Sequence, residues 1–314
     1  MVVAIIASAI WSVVSKRVHS LSVGARAQII FGLRILPVAA SLVFVFAFLV
    51  PSYLLHEPEA SGEVVSSKLG LIALLSSIGV LIALYRVVGT WIATSRLTAN
   101  WLNAAEKIEV ECIAIPIHRI KHQFPVIAVI GIFRPKLFVA EQVLEALDKN
   151  EFAAAIAHEY GHLKANDNFK RTVLRICRDL LLLPLGHGLD HAWADNAESV
   201  ADEFAASKGR STALDLASAL VKIARIVPAG TSPAMPAGAF LIDGYNTDIT
   251  SRVRRLIRLS ESNGVPDTSS IFGFQSAAWV YAGVLFFLIV LPVVERGFLT
   301  TTHEAVEQFV TLLR

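Results

Sequence analysis

Three stretches of the chain are apolar and free of charge: 35–55, 69–85 and 272–294. A helix needs about 20 such residues to cross a bilayer, so each predicts a membrane span. The middle span extends to about residue 90, because Arg86 can lay its stem along the apolar surface and keep its head at the interface. The first fifteen residues are also uncharged, but they lack the positive charge that precedes the core of a signal peptide. They read as a short or tilted first span over about 2–15. Between the third and fourth spans the pattern changes. Alternation over 107–117, 126–132 and 136–140 predicts three short strands. Helical spacing then takes over at 149–165, 168–185, 191–208 and 211–227. Residues 228–238 hold three prolines and two glycines and read as an exposed connector. The expected fold class is α+β: a mainly helical integral membrane protein with four transmembrane helices and a small sheet. Its domains would be three spans in 1–96, a domain outside the bilayer in 97–270, and a last span with a short tail in 271–314.

The helix at 149–165 carries the chemistry. Asp148 and Glu151 form a capping-box pattern at its start. Phe152, Ala155, Ile156 and Leu163 make an apolar stripe, while His158 and His162, four residues apart, share another face. Two imidazoles so placed can grip one metal ion. Glu159 beside them can reach a water without being a ligand, which is the H-E-x-x-H arrangement of zinc hydrolases. A catalytic zinc site needs a third protein ligand and an open position. The 191–208 helix offers Glu198 as that ligand, with Asp202 one turn on to orient a ligand histidine through its outer nitrogen.

The segments AIAHEYGHLKAND and ESVADEFAA together resemble gluzincin metallopeptidases whose third ligand lies in E-x-x-x-D. Two membrane-bound groups share that pattern: antirepressor peptidases of the BlaR/MecR type and quality-control proteases of the HtpX type. The segment GIFRPKLF at 131–138 is similar to the strand before their active-site helix, and the likeness spans roughly 108–258. The resemblance implies a zinc cofactor and a small sheet beside the active-site helix. The edge strand of that sheet, expected at 126–132, would pair with extended substrate. Four spans, with only 36 positions from His162 to Glu198, favour the antirepressor type. The tail after residue 294 is too short for that type's extracellular sensor. Any stimulus is therefore expected through the membrane helices, the short outer loop, or a partner (a sensor chain or a second copy).

Composition sharpens this picture. Hydrophobic residues make up 54% and charged ones 17%, well below the roughly one quarter charged in soluble domains. Lys16, Arg17, Arg26 and Arg34 crowd the loop expected at 15–34, and Glu57, Glu59 and Glu63 the one at 56–68. Arg86 and Arg96 follow the third span, and Arg252, Arg254, Arg255 and Arg258 precede the fourth. Positive-inside counting then places 97–270 in the cytoplasm of a bacterial inner membrane. The net charge of +2 comes from these flanking arginines and gives no case for nucleic acid. Cys112 and Cys177 lie on the reducing side, with no disulfide expected.

The remaining candidates carry bland readings beside sharp ones. His191, seven residues before Glu198, is the candidate to stabilise the oxyanion of the attacked carbonyl. His187 reads as part of a turn, His118 and His122 as a solvated loop, and Tyr160 as pointing away from the metal. The basic helix at 168–185 either covers the domain core or lies on the anionic inner leaflet. The expected activity is zinc-assisted hydrolysis of a cytosolic or membrane-proximal protein, with a transcriptional repressor as the signalling substrate. Quality-control proteolysis and a signalling scaffold with structural zinc are the alternatives. An intramembrane protease is disfavoured because Lys149, Glu151, Lys164 and Asp167 flank the motif too closely for a membrane span.

Overall fold

The computed structural model describes residues 11, 21–56, 67–108, 116–132, 134–180, 186–227, 249–262 and 296–313. The expected first and fourth spans, the 228–238 connector, most of the outer loop and Cys112 lie outside the described residues. Helix α1 (Val23–Val43) runs through a π-helical stretch, Phe44–Leu49, into α2 (Val50–His56). Helix α3 is Ser67–Ala104. Strands β1 (Glu106–Ile108), β2 (Ile117–Ile120), β3 (Ile127–Ile130) and β4 (Lys136–Ala140) follow. Then come helices α4 (Glu141–Ala146), α5 (Lys149–Lys164), α6 (Asp167–Leu180), α7 (His187–Ala206), α8 (Arg210–Ile226), α9 (Ile249–Glu261) and α10 (Arg296–Leu313).

The four strands form one sheet in the order β1-β2-β4-β3, with β2 and β4 parallel and the other pairs antiparallel. All four residues of β3 are buried, as are the last four of β4, which fits their continuous apolar runs. The single strand expected at 107–117 is instead parts of two. Ile108 pairs antiparallel with Ile117, and one strand cannot pair with itself. His118 and His122 also depart from the solvated loop expected of them. His118 lies in β2 beside Phe138 and His122 packs on Trp101, both with ring centroids 5.4 Å apart. Burial, helped by Lys136 and Lys107, lowers the His118 pKa.

The main core joins the sheet to α5, α8 and α9, through Phe138, Ala155, Leu216, Leu220 and Leu256 among others. A second cluster forms where Ile30 of α1 meets Leu174 of α6 and Trp193 of α7. Here two boundaries differ from expectation. Residues 23–34 are helix and not loop: Ser22 caps the helix by accepting from the Ala25 N–H, and Val23, Ala27, Ile30 and Arg34 are buried. Helix α7 starts at His187, because Gly186 takes the left-handed φ of 97° that closes its N-terminus. Arg34 is 2% exposed and forms a bidentate pair with Asp190 of α7, at 2.7 and 3.3 Å. The basic helix α6 packs against α1, α3 and α5, so its role includes covering the core.

Among the described residues, two helices are long and apolar enough to cross a membrane: Val23–Leu55, 33 residues, and Gly70–Ala104, 35 residues. They contain the second and third expected spans and run past them on the domain side. Along α3, Leu74, Leu81 and Leu84 are each more than half exposed, an apolar surface of the kind a bilayer covers.

Candidate metal centre

The capping box fixes where α5 begins. Asp148 accepts from the N–H groups of Asn150 and Glu151 at 2.9 and 3.0 Å, and Glu151 accepts from the Asp148 N–H at 2.9 Å. From that start, His158, Glu159 and His162 fall mid-helix and are all buried. Helix α7 crosses α5 at Gly161. A Cβ there would stand 3.0 Å from Ala201 Cα and 3.3 Å from its Cβ. Only glycine lets the two backbones come so close, and this approach carries Glu198 to the histidines.

The geometry suits one tetrahedral ion. His158 Nε2 and His162 Nε2 face each other at 3.1 Å. The Glu198 carboxylate oxygens lie 3.4 Å from each. Bonds of about 2.05 Å at tetrahedral angles put neighbouring ligand atoms ~3.3 Å apart, and the two ring nitrogens, with one carboxylate oxygen facing each, stand close to that spacing. The outer nitrogens are committed elsewhere: His158 Nδ1 lies 2.9 Å from Asp202 and His162 Nδ1 2.7 Å from Asp167. Asp167 holds the proton on His162 Nδ1, and the Asp202 carboxylate beside His158 Nδ1 favours the same tautomer there, which leaves both Nε2 lone pairs for the metal.

The charge balance points the same way. Burial alone would lower the His162 pKa, but Glu198 and Asp167 outweigh it and lift it to about 10. The pocket thus draws positive charge towards the place where a dication fits. Burial raises Glu198 and Asp202, yet His162 and Arg252 bring Glu198 well below the carboxylate range, and Arg252 with His158 does the same for Asp202. Arg252, 4% exposed, spans both acids, at 3.1 Å from Glu198 and 2.7 Å from Asp202. Arg255 also binds Asp202, and Arg171 Nη2 lies 3.2 Å from Glu198.

Glu159 is not aimed as a ligand. Its Oε2 accepts from the Val129 N–H at 3.2 Å, while Oε1 is buried with no hydrogen-bond partner among the described residues. Burial raises its pKa, against the pull of His162 and His158. It lines a small cleft with Val129, His162, Asn168 and Arg171. A carboxylate with a free oxygen and a raised pKa, beside a metal site, suits proton transfer.

Of the residues expected from sequence, His158, His162 and Glu198 come together as a group able to hold a metal, with Asp202 and Glu159 beside them. His191 does not join them. It is exposed on α7 and does not line the cleft. Tyr160 is 43% exposed and packs on Phe204, pointing away as expected. Asp167, which the sequence offers as a helix-end residue or as a partner to a metal ligand, holds His162 at 2.7 Å, whereas Arg171, Asn168 and Arg252 have no metal-centre role in the sequence reading. The spacing of Arg252 and Leu256, four apart and both buried on α9, was a signal that one arginine faces inward.

A helix pair offering His, His and Glu, with a glutamate held off the metal, defines the class: a gluzincin-type metallopeptidase centre. In keeping with that, residues 128–221 match the model of Peptidase family M48. The matched segment covers most of β3, all of β4, both ligand helices and most of α8, and it supports a zinc metallopeptidase. No curated protein matches the chain.

Proposed function

We propose that this chain is a membrane-anchored zinc metalloendopeptidase that cuts a cytosolic or membrane-proximal protein as a step in signalling. The observation that carries the peptidase reading is the convergence of His158, His162 and Glu198 within 4.8 Å beside an unpartnered Glu159 oxygen. Zinc held by these three side chains would supply a Lewis acid that makes water nucleophilic near neutral pH and polarises a carbonyl. Glu159 takes the proton of the attacking water and delivers it to the leaving amine nitrogen, giving a carboxylate and a free amine. Asp202 and Asp167 keep the two imidazoles oriented. Arg171 is a permanent cation at the cleft, and His191 remains the sequence-based proposal for oxyanion stabilisation.

Signalling is supported by the Arg34–Asp190 pair, which ties a membrane-length helix to the helix bearing Glu198. The arginine-rich flanks support a cytoplasmic-facing domain. Quality-control proteolysis of unfolded membrane proteins is the second reading, favoured by an apolar cavity beside α3. In the full chain, Glu159→Gln is expected to cut cleavage of an unfolded protein by about 10²–10⁴-fold with zinc content unchanged. Retained cleavage refutes the assignment. The same variant, used to trap bound protein in cells, separates one repressor-like target from many clients.

A further inference from the structure

The sheet order leaves β3 at an edge. The Ala140 N–H donates to the Val126 C=O at 2.7 Å, which makes that pair, and then 128 with 138 and 130 with 136, the hydrogen-bonded ones. Residues 127, 129 and 131 therefore turn their main-chain groups to the open side. Side chains, and not another strand, meet the groups of 129 and 131. The Val129 N–H donates to Glu159. One carboxamide, Asn168 Nδ2, donates to both the Val129 and Gly131 carbonyls, at 2.9 and 3.1 Å. Asn168 thus supplies to the edge the kind of N–H donor that an incoming strand would supply.

Asn168 also joins two spaces. It lines the small cleft with Glu159 and His162. It lines as well a cavity of about 590 Å³ between the sheet edge, α6 and the foot of α3, whose walls include Trp91, Leu102, Ile130, Ile132 and Ile176. Arg175 lines that cavity too, and its Nε is buried with no hydrogen-bond partner among the described residues.

We propose that Asn168 is a removable stopper on the open edge of β3, and that the edge and cavity together bind an extended peptide through a bulky apolar side chain. That side chain would lie close to the bond to be cut, because Asn168 borders both the cavity and the cleft at Glu159. The inference rests on the peptidase reading and adds its substrate class. The edge carbonyls and the Arg175 donor decide for a peptide over a lipid tail, because a hydrocarbon chain satisfies neither. Peptide entry releases Asn168 and replaces its two hydrogen bonds with main-chain ones.

The test is binding, so that it does not depend on turnover. Zinc-loaded, full-length Glu159→Gln protein in nanodiscs is titrated with fluorescent decapeptides that differ at one position among Gly, Leu, Phe and Asp. Leu and Phe are expected to bind about tenfold or more tighter than Gly, and Asp weaker. Thr98→Trp, which fills the cavity from α3, should reduce the Leu-over-Gly preference to less than twofold. Asn168→Ala should tighten every peptide several-fold. Absence of an apolar preference, or a preference untouched by Thr98→Trp, overturns the subsite. Uniformly weaker binding by Asn168→Ala overturns the stopper. Loss of co-purified phospholipid in Thr98→Trp, with peptide preference unchanged, assigns the cavity to lipid and also overturns the proposal. If the apolar preference holds but wild-type protein cuts nothing, the peptidase reading fails and the binding site stands.

Discussion

Glu151 ties α5 to α8 as well as capping α5. Its carboxylate accepts from Ser218 and from Lys222, each at 2.6 Å, in addition to the Asp148 N–H. Burial pushes its pKa up, but Lys222, Ser218 and Asp148 together take it below the ordinary 4.5. A depressed folded pKa means the unfolded chain binds more protons, so this contribution is full above about 4.5 and fades as pH falls through the folded value. Glu151→Gln is expected to cost about 1–2 kcal/mol at neutral pH and progressively less in acid, as read from unfolding curves at pH 7 and pH 4. At this scale the sequence was a good guide wherever local geometry decides. The i,i+4 spacing on one helix dictates that His158 and His162 meet, and likewise Glu198 and Asp202. It was a poor guide to Arg171 and Arg252. Their carboxylate partners lie 27 to 54 positions away, and a long side chain carries no periodic mark of its target.

Gly161 decides how closely α5 and α7 approach. Gly161→Ala would add helix propensity worth up to about 1 kcal/mol, yet its new methyl meets the Ala201 backbone and the Phe204 ring, at 3.0 and 3.3 Å. Overpacking of this kind costs about 1–3 kcal/mol. It also spreads the helices whose separation sets the distance from Glu198 to the histidines. The variant should melt at lower temperature and hold zinc more weakly in chelator competition; unchanged zinc affinity would mean the ligands tolerate the shift. Among elements, β4 and α5 were legible because an apolar run or a capping box marks their ends. The 107–117 alternation was misleading because period two carries no mark of where one strand ends and its antiparallel partner begins. The early start of α7 depends on one left-handed glycine at 186, which reads as a turn until the helix behind it is seen.

Across the whole molecule, the Arg34–Asp190 pair is the clearest link between the apolar helices and the peptidase domain. Arg34→Ala leaves Asp190 without its bidentate partner beside Gly186, where an added Cβ would come within 3.0 Å of the Arg34 Nε. A loss of about 3 kcal/mol is expected, with faster nicking in limited proteolysis near the α1–α7 contact; unaltered proteolysis would show that the second hydrophobic cluster alone holds α1. Hydropathy and arginine bias are collective signals that need no contact map, and the first of them marked two helices of membrane-crossing length among the described residues. They could not assign Arg34, because counting charges treats a solvated arginine and a buried, paired one alike. Helix α3 carries a different consequence. Its 38 residues make a rod ~57 Å long, nearly twice a hydrocarbon core of ~30 Å, and at its foot Trp101 leans on Phe138 of the sheet. Were a bilayer to hold the far end of this rod, its thickness would set the tilt of the end that rests on the β-sheet. Lipid composition would then act as a dial on the proposed peptide site.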